Sequence, residues 1–221
     1  MIEILKTFRG AIDQPQDLKL SALDKQFCLL AKELLYGGYF RIKGKKHLYL
    51  DDIEFYYHEE TADGLKDPIM YHTNDNEGKG KEIQYFEIGR LNLHISGVDV
   101  TFENEEKQYR ASFLIRGFHV DDQKFDGHST HIYNEMLFMG LPLGKPIEIE
   151  WVSENLPEKD AFKPVGEPRK NVAEYEFKDG KYYKIECVEK NFDPNLYFRY
   201  SGHVFKKCLR NWRFRKNNVK D

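Results

Sequence analysis

The chain has 221 residues, 40% hydrophobic, 32% charged and 14% aromatic, which suits one globular domain whose core needs neither a metal nor disulfides to form. Its 34 Lys and Arg against 37 Asp and Glu leave a formal charge of -3, which excludes a surface built all over for nucleic acid. The cysteines Cys28, Cys187 and Cys208 show no CxxC spacing and read as reduced thiols; no apolar run reaches the roughly 20 residues of a membrane helix, and no signal-peptide core follows Met1, so a cytoplasmic protein is expected.

In chain order, residues 1–17 read as a polar, irregular segment ending in the turn-like Gln14 to Asp17. Ser21 with Asp24 forms a capping signal, and Phe27, Leu30, Ala31, Leu34 and Leu35 follow at helical spacing until Gly37 and Gly38 stop the helix. Tyr39 to Lys43 and Lys46 to Tyr57 alternate as strands around a turn at Gly44. The apolar phase slips from Leu48 and Leu50 to Ile53, Phe55 and Tyr57, which predicts a bulge near Asp51 and Asp52.

Beyond the Gly-rich loop Asp75 to Lys81, strands are expected at Glu82 to Ile95, Val98 to Phe102 and Tyr109 to Phe118, as antiparallel neighbours. Ile132 to Met139 reads as a short helix, Ile147 to Val152 as a strand and Pro157 to Arg169 as a long connection. Asp179-Gly180 marks a hairpin between Tyr175 to Lys178 and Lys181 to Val188, and Asn195 to Tyr200 is the last strand. The whole reads as a single α+β domain with a curved, mainly antiparallel sheet or partly closed barrel, flanked by a few helices.

Charge is uneven along this chain. From Arg199 to Asp221 there are eight basic residues and one acid, a net of +7, so residues 1–198 carry -10. Phe205, Leu209, Trp212 and Phe214 are interleaved there, which makes Lys206, Lys207, Arg210, Arg213 and Arg215 candidate nucleic-acid contacts. A competing reading makes Phe205, Leu209 and Trp212 the apolar stripe of a closing helix.

The segment Asp51 to Tyr57 concentrates the chemistry. In a strand, Glu54 and Tyr56 share one face and Ile53, Phe55 and Tyr57 the other, so a carboxylate and a ring point away from the apolar layer together. In the strand near Arg110 to Phe118, Ser112, Leu114 and Arg116 share a face, and an Arg among apolar residues requires an acid or a phosphate.

The collinear segments Ala31-Lys32-Glu33-Leu34-Leu35-Tyr36-Gly37, Ile53-Glu54-Phe55-Tyr56, Asp67-Pro68 then His72, Gly89-Arg90-Leu91 to Ile95-Ser96-Gly97, and Leu114-Ile115-Arg116 resemble the alkyladenine DNA glycosylase family. A weaker echo lies at Leu196 to Gly202. The resemblance implies one compact domain on a curved antiparallel sheet, and a base-excision N-glycosylase acting on alkylated or deaminated purines. It gives Glu54 the role of activating water, with Arg116 near that water. Tyr56 and His72 would face the extruded base, with His94 available to the same site.

The chain departs from the family in carrying Ser96 where the family's minor-groove wedge is a Tyr, Leu93 at the second stacking ring, and Glu103 or Asn104 near an expected Asn. A hydroxymethyl cannot fill the gap left by a flipped base. Chemistry on single strands, on free nucleosides, or none at all stays open, and the alternative is a catalytically silent nucleic-acid or nucleotide-binding domain.

His119, Asp121, Asp122, Asp126, His128 and His131 crowd one loop, but their spacing matches no zinc signature and reads as polar surface. Neither a GxxxxGK phosphate loop nor a GxSxG elbow is present. No metal or diffusible cofactor is implied; DNA is the expected partner, and the protein is expected to be a monomer with no membrane association.

Overall fold

The computed structural model describes residues 1–13, 20–70, 72–74, 84–94, 97–125, 131–137, 148–170, 172–179, 181–186, 193–201 and 203–216. Ser96, the Gly78 to Lys81 turn, Asp126, His128 and Cys187 lie outside the described residues. The fold is α+β in one domain, a curled antiparallel half-barrel with helices on one side.

Two helices come first, α1 (Ile2–Ile12) and α2 (Leu20–Tyr36), then strands β1 (Gly38–Ile42) and β2 (Lys46–Glu59). The sheet continues with β3 (Leu91–His94), β4 (Gly97–Thr101), β5 (Tyr109–Val120), β6 (Gln123–Phe125) and β7 (Ile149–Ser153), and a third helix spans His131–Leu137. Two ribbons, β8 (Tyr175–Lys178) with β9 (Lys181–Lys184) and β10 (Tyr197–Tyr200) with β11 (His203–Lys206), precede the short β12 (Arg213–Arg215). Strand order is β3-β4-β5-β2-β1-β7, with β6 beside β5 and β12 beside β2. None of the helices among the described residues is long and apolar enough to cross a membrane.

The long strands β2 and β5 form the spine, paired from Leu48 opposite Val120 to Glu59 opposite Tyr109. Their register slips on both sides of Asp52, which is the bulge expected from the apolar phase change. The slip keeps Leu48 and Leu50 in the core before it and Ile53, Phe55 and Tyr57 in the core after it. Phe27 of α2 stacks on Phe55 at 4.4 Å between ring centres with 4° between planes, and the Trp212 ring meets Phe27 edge-on at 5.1 Å. Burying a side chain of this size contributes about 1.5–3 kcal/mol.

Four expectations need correction. Residues 2–12 form a helix, not an irregular segment: Leu5, Phe8 and Ile12 recur at three and four residues and are buried, and Phe8 packs on Phe27 and Phe102. Gly10 and the β-branched Ile2, Ile4, Thr7 and Ile12 are weak helix formers and mask that stripe. Ser21 lies inside α2, which already runs from Leu20. In the basic segment, Phe205 is on β11 and Phe214 on β12, so Phe205, Leu209 and Trp212 do not make a helix. Instead the Trp212 carbonyl accepts from the Phe55 N–H, and its indole N–H donates to Asp24 at 2.7 Å. The strand expected over Glu82 to Ile95 is confined to Leu91–His94 among the described residues, with residues 84–90 irregular.

Candidate functional site

Strand alternation separates two faces. Below lie Ile53, Phe55, Tyr57, Ala111, Phe113 and Ile115, all buried against the helices. Above, cross-strand partners place Glu54 opposite Leu114, Tyr56 opposite Ser112 and His58 opposite Arg110. The next strand adds Asp99 opposite Leu114 and Thr101 opposite Ser112; on the other side β12 sets Arg213 opposite Glu54 and Arg215 opposite Asp52. One side of the sheet is thus hydrocarbon and the other is dense in charge.

Glu54 is the centre of the charged face and is 0% exposed. Its Oε2 accepts from the Arg116 Nε–H at 2.8 Å and from the Tyr56 hydroxyl at 2.9 Å. Arg116 Nη2 lies 2.8 Å from the same oxygen. Oε1 accepts from the Lys170 backbone N–H at 2.7 Å, with Arg213 Nε at 3.8 Å. Burial alone would lower the affinity of Arg116 for its proton, but the Glu54 charge beside it more than offsets this and the guanidinium is held above its ordinary range. The Tyr56 phenol is pushed well above its usual range by burial first and by the Glu54 carboxylate second.

A second buried pair supports Tyr56 from the side. Arg169 reaches Asp67 at 2.5 and 3.2 Å, with side chains 1% and 2% exposed. Its guanidinium carbon lies 4.9 Å from the Tyr56 ring centre and 5.2 Å from that of Trp212, a cation held between two rings. Here burial works against the charge and Asp67 overrides it, so Arg169 is raised above the ordinary arginine range. The strap carrying Arg169 and Lys170 approaches closely at Gly166, where a Cβ would stand 2.1 Å from the Asn211 carbonyl oxygen.

His72 belongs to a third cluster on this face. It is bonded to Glu103, which also receives Arg110 Nη1 at 3.2 Å and the Phe86 N–H at 2.8 Å. Arg110 in turn donates to Glu60 at 2.9 Å and lies 3.6 Å from the Tyr85 ring centre. His94 pairs with Asp99 at 3.3 Å. Of the residues singled out from sequence, Glu54, Tyr56 and Arg116 are in direct contact, whereas His72 and His94 are tied to Glu103 and Asp99.

Two polar atoms on this face, Ser112 Oγ and Asp99 Oδ1, are buried without a hydrogen-bond partner among the described residues. Ser112 sits between Tyr56 and Thr101 in the ladder, and Tyr56 packs with Leu114, Met70 and Ile69. Buried groups of this kind cost free energy unless something bonds to them.

The basic segment is used largely inside the fold. Arg213 grips Asp52 with Nε at 2.9 and 3.1 Å and with Nη2, Arg215 pairs with Glu167 at 2.6 Å, and Arg210 donates to the Lys66 carbonyl at 2.7 Å. Lys207 donates to the Pro194 carbonyl at 2.5 Å, and Lys206 is half-buried. Sequence reasoning did not find Arg169 or Lys170. No signal in the sequence marks them, because the burial of Asp67 that demands a base is visible only in the fold. His119 is engaged with Asp51 at 2.7 Å, and no group of three or more metal-ligating side chains occurs among the described residues. No family model, curated protein or solved structure matches this chain.

Proposed function

We propose that the charged face recognises a nucleobase and that the protein is a diverged N-glycosylase, hydrolysing the glycosidic bond of alkylated or deaminated purines in DNA. The observation that carries this reading is the direct contact of Glu54 with both Arg116 and Tyr56, three residues that the family resemblance assigns to one site. Energetics favour a use for them. A buried ion pair can commonly be replaced by apolar residues at no cost in stability, so a sheet face filled with charge is poor value as scaffolding alone. The orphaned Ser112 hydroxyl and Asp99 oxygen beside Tyr56 add groups that the polar edge of a base can satisfy.

In the reaction, Glu54 takes a proton from water, the water oxygen bonds to the anomeric carbon, and the purine leaves with the electrons of the broken C–N bond. A ring-alkylated purine is already cationic and leaves neutral without a proton donor; a deaminated one leaves as an anion that takes its proton from solvent water. Arg116 now lies against the Glu54 oxygen beside which that water must sit, and at 20% exposure it can swing outward to admit it. The Tyr56 ring is covered by Arg169, Met70 and Leu114, so a base can stack there only if the segment around Ile69 and Met70 yields. The reading takes DNA as partner and a cytoplasmic monomer as the working form, and it calls for no metal or cofactor.

A second reading, a catalytically silent nucleotide-binding domain, is favoured by the complete enclosure of Glu54, whose two oxygens are filled by donors of the protein itself. One assay separates the two. Single-stranded and duplex oligonucleotides containing hypoxanthine or 3-methyladenine are incubated with the wild type and with Glu54→Gln, and the free base is measured. Release that disappears in Glu54→Gln while binding persists supports hydrolysis. Binding without release by the wild type on every substrate leaves the silent reading.

A further inference from the structure

The strip of the charged face beside Tyr56 holds two side chains, Asp99 and Ser112, whose polar atoms are not all satisfied. Asp99 lies opposite Leu114, and Ser112 lies opposite both Tyr56 and Thr101, so the two are diagonal neighbours on adjacent strands, about 7–8 Å apart. They are 4% and 1% exposed. Thr101 Oγ1 in the same strip donates to the Glu87 carbonyl at 2.8 Å, whereas Ser112 Oγ and Asp99 Oδ1 are bonded to nothing among the described residues. The side chains packed on Tyr56 and Leu114 there, Ile69 and Met70, are apolar and offer them no partner.

Asp99 is held in a fixed position. Its Oδ2 faces His94 Nε2 at 3.3 Å, and the Tyr133 hydroxyl of the third helix donates to the Gly97 carbonyl at 2.5 Å and meets that of His94, which ties the ends of β3 and β4 that carry the pair. One carboxylate oxygen is left over. The arginines of this face are engaged elsewhere: Arg116 is bonded to Glu54, Arg213 to Asp52, Arg169 to Asp67, and Arg110 to Glu60 and Glu103. Each of the four is thus matched by at least one acid, and Asp99 has His94 as its ion-pair partner among the described residues. A phosphate is repelled from such a place, while a ligand that brings a positive charge and an N–H is attracted to it. Asp99 is also close enough to Tyr56 to raise that phenol further, behind burial and the Glu54 charge.

We infer that Asp99 and Ser112 form a specificity subsite that selects a cationic purine. Asp99 Oδ1 accepts an N–H from the edge of the base, Ser112 donates to the ring acceptor next to that N–H, and the carboxylate neutralises the charge of the ring. The inference rests on the nucleobase reading of the Glu54 face and divides its substrates: alkylated purines, which are cationic, are favoured over deaminated ones, which are neutral. Neither residue lies in the segments that carry the family resemblance, so their role follows from their burial and their unfilled atoms.

The test is isothermal titration calorimetry of the full chain with 1-methyladenosine and adenosine at neutral pH. The two nucleosides present the same N6–H and N7 and differ in a methyl group and its positive charge. Wild type is expected to bind 1-methyladenosine about 10- to 100-fold more tightly. Asp99→Asn keeps the shape of the side chain and should remove most of that preference. Ser112→Ala should weaken both nucleosides by roughly 3- to 10-fold. Without ligand, Ser112→Ala should melt no lower than wild type, because the hydroxyl it removes is bonded to nothing in the fold.

A wild type that binds both nucleosides alike, or neither, overturns the inference, and so does a preference that persists in Asp99→Asn. A lowered melt of Ser112→Ala also overturns it, since the hydroxyl then has a structural partner; this and the wild-type preference decide the matter if Asp99→Asn does not fold. Release of 3-methyladenine and hypoxanthine from oligonucleotides at equal rates, by wild type and Asp99→Asn alike, leaves hydrolysis standing and removes the subsite. Charge-selective binding that Asp99→Asn abolishes, with no base released from any oligonucleotide, removes hydrolysis and keeps the subsite.

Discussion

The Asp67–Arg169 pair offers the sharpest test of how the charged face is held. Both side chains are almost wholly excluded from water and bonded at 2.5 and 3.2 Å, and Arg169 makes further weak contacts to the Phe55 carbonyl at 3.4 Å and the Cys208 sulfur at 3.6 Å. Asp67→Leu therefore leaves a buried guanidinium without its carboxylate, and Arg169→Met leaves a buried carboxylate without its base. Each single change should cost about 3–5 kcal/mol. Replacing both partners by apolar residues, Asp67→Leu with Arg169→Met, removes the unpaired charge along with the pair, so the double variant should lose at most about 2 kcal/mol. With an m value of about 2 kcal/mol per molar urea, the single variants should shift the unfolding midpoint down by about 1.5–2.5 M and the double variant by less than about 1 M. Urea titrations followed by circular dichroism, with m unchanged, measure all four corners of the cycle. Additive single effects would refute the reasoning, because they would mean that neither group depends on the other for its burial.

Other expectations follow from single contacts. Gly166→Ala should destabilise by about 1–3 kcal/mol, since its Cβ meets the Asn211 carbonyl oxygen at 2.1 Å. Gly10→Ala, where nothing lies within 4 Å on a helix, should stabilise by about 0.5–1 kcal/mol. In thermal melts these two should move in opposite directions by about 2–4 °C per kcal/mol, and a Gly166→Ala melt equal to wild type would contradict the close approach. Tyr56, Tyr57 and Tyr109 all have phenols raised above their usual value near 10, chiefly by burial, so the folded state favours their neutral forms. The stability they contribute is complete below pH 10 and is lost above it as the unfolded chain ionises more readily. An absorbance titration at 295 nm should accordingly fall short of the full 14 tyrosines until far-UV ellipticity collapses; full reversible ionisation with the fold intact would count against it.

The spine of the fold was legible because β2 and β5 obey a period of two, and the slip at Asp52 is written in the apolar phase from Leu50 to Ile53. The contact of Glu54 and Tyr56 was legible for the same reason: residues two apart in a strand share a face. The α1 helix was hidden because Gly10 and the β-branched Ile2, Ile4, Thr7 and Ile12 are weak helix formers, so local propensity masked the spacing of the buried Leu5, Phe8 and Ile12. Arg169 was beyond reach in another way. Its partner Asp67 is 102 residues distant, and nothing local distinguishes a buried arginine from a surface one in a Pro- and Gly-rich connection. The basic segment misled through its charge, because Arg213 and Arg215 find acids in β2 and the strap, a pairing set by long-range register.

That late strand also has a consequence for how the protein is made. β12 lies about 160 residues beyond the strand it pairs with, and Trp212 immediately before it fills the space beside Phe27 and Phe55. During synthesis the apolar underside of β2 and α2 is complete long before the indole that covers it emerges, so the ring surface stays open to other chains until Trp212 and β12 follow. Pairings so distant in sequence are reached slowly, and the half-made sheet presents an unprotected edge along Ile53 to Phe55 in the meantime. Yield should therefore depend on what shields that edge in the cell as much as on the stability of the finished domain.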